Sequence, residues 1–165
     1  MIENFEFDEY VSYLRGLAES HVDILHTPAE PHFFRINIED ALDRITALRS
    51  PMVILESFEG SFTGPNDDQL YDQLRCGFMI LETVKQGDHA AQDLVLKRTR
   101  ALMRDFISKM RNDKKCRTQP WLQHLKVNSV RYYKVGPLMV DKYGWLCEFS
   151  VDTPLNLSLN PAKWQ

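Results

Sequence analysis

The sequence predicts an α+β fold: one mostly antiparallel sheet with a long helix packed on one face, in the order α-β-α-β-β-α-β-β. Two kinds of spacing and one kind of punctuation lead there. Apolar residues recur at three- and four-residue steps over 8–25 and 89–112, the mark of one helix face, and at every second position over much of 70–84 and 143–151, the mark of one strand face. Clusters of Pro, Gly, Asn and Asp separate these stretches. A hairpin before the long helix and two strands after it give a two-layer plan.

The first helix is expected from Asp8, as N-cap, to about Leu25, with Tyr10, Val11, Leu14, Leu17, Ala18, Val22 and Leu25 on its apolar face. Thr27-Pro28 and Glu30-Pro31 stop it. A short strand follows over His32–Ile36. Asn37 then caps a second helix whose stripe is Ile38, Ala41, Leu42, Ile45 and Leu48, closed by Ser50-Pro51. Met52–Phe62, rich in β-branched and aromatic residues, reads as a strand, and Thr63–Asp68 as a turn. The next strand runs from Leu70 to Val84 with Leu74, Cys76, Phe78 and Ile80 on one face, so the two form a hairpin with its tip near Pro65.

Gly87-Asp88 breaks that strand and caps a helix over His89–Asn112. Its buried stripe is expected to be Ala91, Leu94, Val95, Leu102, Phe106 and Met110, with Lys97, Arg100, Arg104 and Arg111 turned away. Asp113–Pro120 reads as a basic loop, and Leu125–Val135 and Tyr143–Val151 as two strands joined through Gly136–Lys142. Residues 1–153 make one domain. Residues 154–165 form an extension whose Leu155, Leu157, Leu159 and Trp164 could cover a sheet edge of this chain or of a neighbour.

A chain of 165 residues, 44% hydrophobic and 26% charged, can bury its own core. The acidic start MIENFEFDEY does not read as a secretory signal, and no stretch approaches the roughly 20 apolar residues of a membrane span. A cytoplasmic chain without membrane contact is expected. Cys76, Cys116 and Cys147 are odd in number and widely spaced, which suits reduced thiols.

The net charge of −3 hides a polarity. Residues 1–96 carry 18 acids and 6 bases, while residues 97–117 carry 9 bases and 2 acids. Opposite charges on different parts of one domain can steer copies together head to tail; a solvated basic helix over an acidic domain is the plainer alternative.

No pattern for chemistry stands out. Phosphate-loop, dinucleotide and nucleophile-elbow motifs are missing, as are paired metal-ligand spacings. His21, His26, His32, His89 and His124 are scattered and read as surface or boundary residues. Asp67 and Asp68 fit a turn better than a calcium loop. Cys116, amid Lys114, Lys115 and Arg117, is a weak nucleophile candidate. The basic segment lacks interleaved aromatics, so passive contact with a phosphate backbone is open to it but base reading is not expected. No catalytic, cofactor-binding or metal-binding residue is expected.

The stretch Val135-Gly136-Pro137-Leu138-Met139-Val140-Asp141-Lys142-Tyr143-Gly144-Trp145-Leu146-Cys147-Glu148-Phe149-Ser150, taken with the element order, resembles the closing hairpin of bacteriophage tail-terminator and tail-completion (neck) proteins. The resemblance implies a non-enzymatic subunit forming a ring, often a hexamer, at the end of a tail tube or at the head–tail junction. Its partners would be other copies of itself and tube, sheath or connector proteins, with non-specific DNA contact in a channel. It would be made in the host cytoplasm and then become particle-associated. By the same analogy the contact elements are the tip with Pro65, Asn66 and Asp67, the loop with Leu138 and Met139, the basic residues Lys97, Arg100, Arg104 and Arg111, and the anchor Trp164. Fold analogy alone does not fix function. An adaptor or immunity-type binding module with an acidic surface, and an enzyme with a polar pocket, are the other classes.

Overall fold

A computed structural model describes residues 6–35 and 47–164. Helix α1 spans Phe7–Ser20, with Glu6 rather than Asp8 as N-cap. The Glu9 carboxylate accepts the Glu6 N–H at 3.4 Å, and Asp8 and Glu9 lie at the positive end of the helix dipole. Tyr10, Val11, Leu14, Leu17 and Ala18 are buried as expected. The helix stops a turn before Leu25. The His21 N–H closes on the Leu17 carbonyl, and Leu25 takes a left-handed φ of 52°. Val22 and Leu25 are therefore exposed rather than in the core.

The strands are β1 (Phe33–Arg35), β2 (Met52–Leu55), β3 (Glu59–Asn66), β4 (Gln69–Thr83), β5 (Leu125–Leu138) and β6 (Lys142–Leu155). Helix α2 spans His89–Cys116, between β4 and β5. The helix expected over Asn37–Leu48 falls almost wholly outside the described residues. The sheet order is β1-β2-β4-β6-β5, with β3 also on β4; β1–β2 is parallel and the other pairs are antiparallel. The α+β class and the mostly antiparallel sheet are as expected. The β4–β6 register runs unbroken from Leu70↔Leu155 to Thr83↔Lys142.

Met52–Phe62 is two strands rather than one. Leu55 pairs with Phe78 and Glu59 with Arg75, so the β2–β3 side gains a residue on β4 and bulges at Glu56–Phe58. The Tyr10 hydroxyl fills the break, donating to the Gly77 carbonyl at 2.8 Å and accepting the Gly77 N–H at 3.1 Å. Phe58 meanwhile packs on Phe7 and Tyr10. Strand β3 runs on through Pro65, so the hairpin turn is Asp67-Asp68, two residues beyond the expected tip.

Asp88 caps α2, its carboxylate accepting the Ala91 N–H at 2.9 Å. The helix runs to Cys116 because Asp113 is a buried anchor, not the start of a basic loop. It accepts the Tyr13 hydroxyl at 2.8 Å and Lys109 Nζ at 2.6 Å. Val95, Leu102, Met103, Phe106 and Met110 face the sheet; Leu94, expected among them, is exposed. Thr99 takes a core position with its hydroxyl donating to the Val95 carbonyl at 2.7 Å.

The main core lies between the two helices and one sheet face, where Phe78, Ile80, Cys147 and Phe149 meet Tyr10, Leu14 and Phe106. A smaller cluster of Met52, Ile54, Met79 and Leu81 lies on the opposite face. Both parities of β4 are buried there, so its alternation fades over Phe78–Leu81. No helix among the described residues is long and apolar enough to cross a membrane.

Candidate interaction surface

Lys97, Arg100, Arg104 and Arg111 are all exposed on α2. At about 100° per residue they fall within about 60° of one another, on a stripe roughly opposite the buried one. Other bases of the same segment serve the fold. Arg98 forms an ion pair with Glu82 through two nitrogens, Lys109 binds Asp113, and Lys114 Nζ donates to the Leu125 carbonyl at 2.6 Å. Among the described residues the four stripe residues make no ion pair. Arg100 is held nonetheless: its Nη2 donates to the Tyr132 hydroxyl at 2.8 Å and its guanidinium lies 5.4 Å from that ring. Tyr132 stands edge-on to Trp145, whose indole N–H donates to the Leu96 carbonyl of α2 at 2.8 Å. Lys134, opposite Trp145 in the β5–β6 register, is exposed on the same side.

The other expected contact residues separate. Pro65, Asn66 and Asp67 are exposed at the hairpin end, where the Asn66 side chain accepts the Asp68 N–H at 3.0 Å. Leu138 and Met139, by contrast, pack against the Met52–Leu81 cluster. Strand β5 continues through Gly136 and Pro137, leaving only Met139–Asp141 as the turn, and Val140 is its exposed apolar residue. Strand β6 carries the chain to Leu155. Beyond it Leu157, Leu159 and Trp164 stand open, Trp164 at 72% exposure, so the extension does not bury them on its own sheet.

Two clefts were not visible in the sequence. On the face opposite the helices, β5 gains three residues on β6 between Lys126 and Arg131. Ser129 stitches the excursion down, donating to the Lys126 carbonyl at 2.6 Å and accepting the Ser150 N–H at 2.8 Å. The result is a polar recess of about 400 Å³ lined by Arg75, Ser129, Arg131, Tyr133 and Glu148. Nearby, burial pushes the Glu56 carboxyl above its ordinary range, helped by Glu148 and Glu59. A second notch of about 390 Å³ joins Asp23, Glu82, Arg98 and Asp105. His21 bonds Asp105 at 3.3 Å beside it. Its residues are far apart in sequence, and no local motif could have joined them.

Several polar groups in and around the core are committed to the fold. Both oxygens of Glu82 are taken by Arg98. His32 is buried, with Nδ1 2.8 Å from the Pro51 carbonyl, and His26 Nδ1 accepts the His32 N–H at 3.0 Å; both serve the backbone. Burial pushes the Cys76 and Cys147 thiols up to about 12, away from thiolate character. Among the described residues no group of three or more His, Cys, Asp or Glu could hold a metal ion. No protein-family model matches the chain, and no curated protein does either.

Proposed function

We propose that this chain is a non-enzymatic structural subunit of a phage-like tail or head–tail junction, whose copies form a ring that terminates or completes the tail tube. The observation that carries this reading is how much of the described chain lies outside the core. Residues 60–70 are exposed or half-exposed, and Leu157, Leu159 and Trp164 extend past the last strand with apolar side chains open to water. Large apolar groups held open to water on one short segment suit an anchoring role on another surface. The exposed stripe on α2 adds a charged contact face, for a neighbouring copy or for DNA in a channel.

The test is molecular mass by light scattering, on the full chain and on a chain ending at Leu155, each alone and with tail tubes. The full chain should form a symmetric higher oligomer, or assemble only on the tube, and the truncated chain should lose most of that assembly. A full chain that stays monomeric in both settings would refute the reading. A second reading, an adaptor or immunity-type module, is favoured by one observation: residues 57–74 hold four acids and no lysine or arginine. It predicts a monomer or dimer that forms a tight one-to-one complex with a basic protein.

A further inference from the structure

The acids of residues 57–74 are Glu59, Asp67, Asp68 and Asp72, and among the described residues none of them forms an ion pair. Asp67 and Asp68 are the turn of the β3–β4 hairpin and are exposed. The last turns of α2 reach only as far as Leu125, which pairs with Val151. The rows from Tyr71↔Pro154 to the turn lie beyond that point, so this end of the sheet, where β4 is flanked by β3 and β6 as far as Leu70, carries the acidic turn past the helix as a short arm. Phe62 and Tyr71 on it are exposed.

The complementary surface lies elsewhere on the same molecule. Lys97, Arg100 and Arg104 of α2 stand beside Lys134 of β5, with the exposed Tyr132 ring between helix and strand. The fold spends Arg98, Lys109 and Lys126 on its own acids, while among the described residues these four cations form no ion pair. Arg100, docked on Tyr132, is already ordered and loses little freedom on binding a carboxylate. Among the described strands β5 is also an outermost one, with no strand paired on its far side.

We propose that the acidic arm of one copy seats on the α2–β5 basic face of the next, with Asp67 and Asp68 against Arg100 and Arg104. This rests on the ring-forming reading and specifies its contact. The two surfaces differ, so the contact is heterologous and repeats from copy to copy.

Charge reversal tests it, because all four residues are exposed and the fold should survive; circular dichroism checks that. Asp67→Lys/Asp68→Lys and Arg100→Glu/Arg104→Glu should each weaken assembly at low salt by about tenfold or more, since like charges then face each other. Mixing the two variants should restore assembly, as should all four changes in one chain. Wild-type assembly should weaken as salt rises. Assembly untouched by either reversal would overturn the proposed contact and leave the ring reading standing. So would reversal at Arg100 and Arg104 that costs only retention of duplex DNA, which would assign the stripe to nucleic acid. A wild-type chain that never assembles, alone or on tubes, would refute both.

Discussion

Tyr10 shows how one hydroxyl holds a sheet together where two strands change over. It supplies both a donor and an acceptor to Gly77, whose backbone groups lie between the β2 and β3 ladders, and it is fully buried. Tyr10→Phe takes that acceptor from the buried Gly77 N–H, while the carbonyl keeps the Glu56 N–H at 3.0 Å, at a cost of about 1–3 kcal/mol. Chemical denaturation of the variant should show that loss. Glu56, beside the same break, works in the other direction. Burial first, then Glu148 and Glu59, raise its carboxyl above the ordinary range. A carboxyl that ionises less readily in the folded chain than in the unfolded one takes up a proton on folding. Its stabilising contribution is complete in acid, below the unfolded value, and is lost as pH rises through the folded value. Glu56→Gln should therefore melt higher than wild type near neutral pH, with the advantage shrinking as the pH falls. A melting series across that range checks the sign.

Among the elements, α2 and the β5–β6 hairpin carry most of what is distinctive. The three- and four-residue spacing makes α2 legible, and the Gly87-Asp88 start is legible too because capping is local chemistry. Its far end lies beyond the expected Asn112 because the Asp113 anchor depends on Tyr13, a hundred positions away. Strict alternation made β6 legible. The β5 excursion and the break at Glu56–Phe58 were not, since a bulge is set by what lies across the sheet. The β5–β6 turn places Met139 and Val140 at φ of 51° and 78°. A β-branched residue is poorly suited to the left-handed region, which Asn tolerates. Val140→Asn should raise stability by up to about 1 kcal/mol, measurable as a higher melting temperature.

For the whole molecule, the charge polarity read along the chain becomes a spatial one. The acidic hairpin and the basic helix face are separate surfaces, and the stripe of Lys97, Arg100, Arg104 and Arg111 was legible because helical periodicity alone defines it. The two clefts were not, because each gathers residues from distant segments. The Leu138–Met139 loop misled for a related reason: its apolar side chains turn inward onto a second cluster that the alternating pattern of β4 had hidden.

The three tryptophans occupy three different settings: Trp121 is buried, Trp145 is half-buried and hydrogen-bonded to α2, and Trp164 stands in water near the chain's end. Nature has thus placed a fluorescent probe on the one segment whose fate is in question. The emission from that terminal indole is red-shifted while it is wet, and would move to the blue once another surface enclosed it, with no dye or label needed.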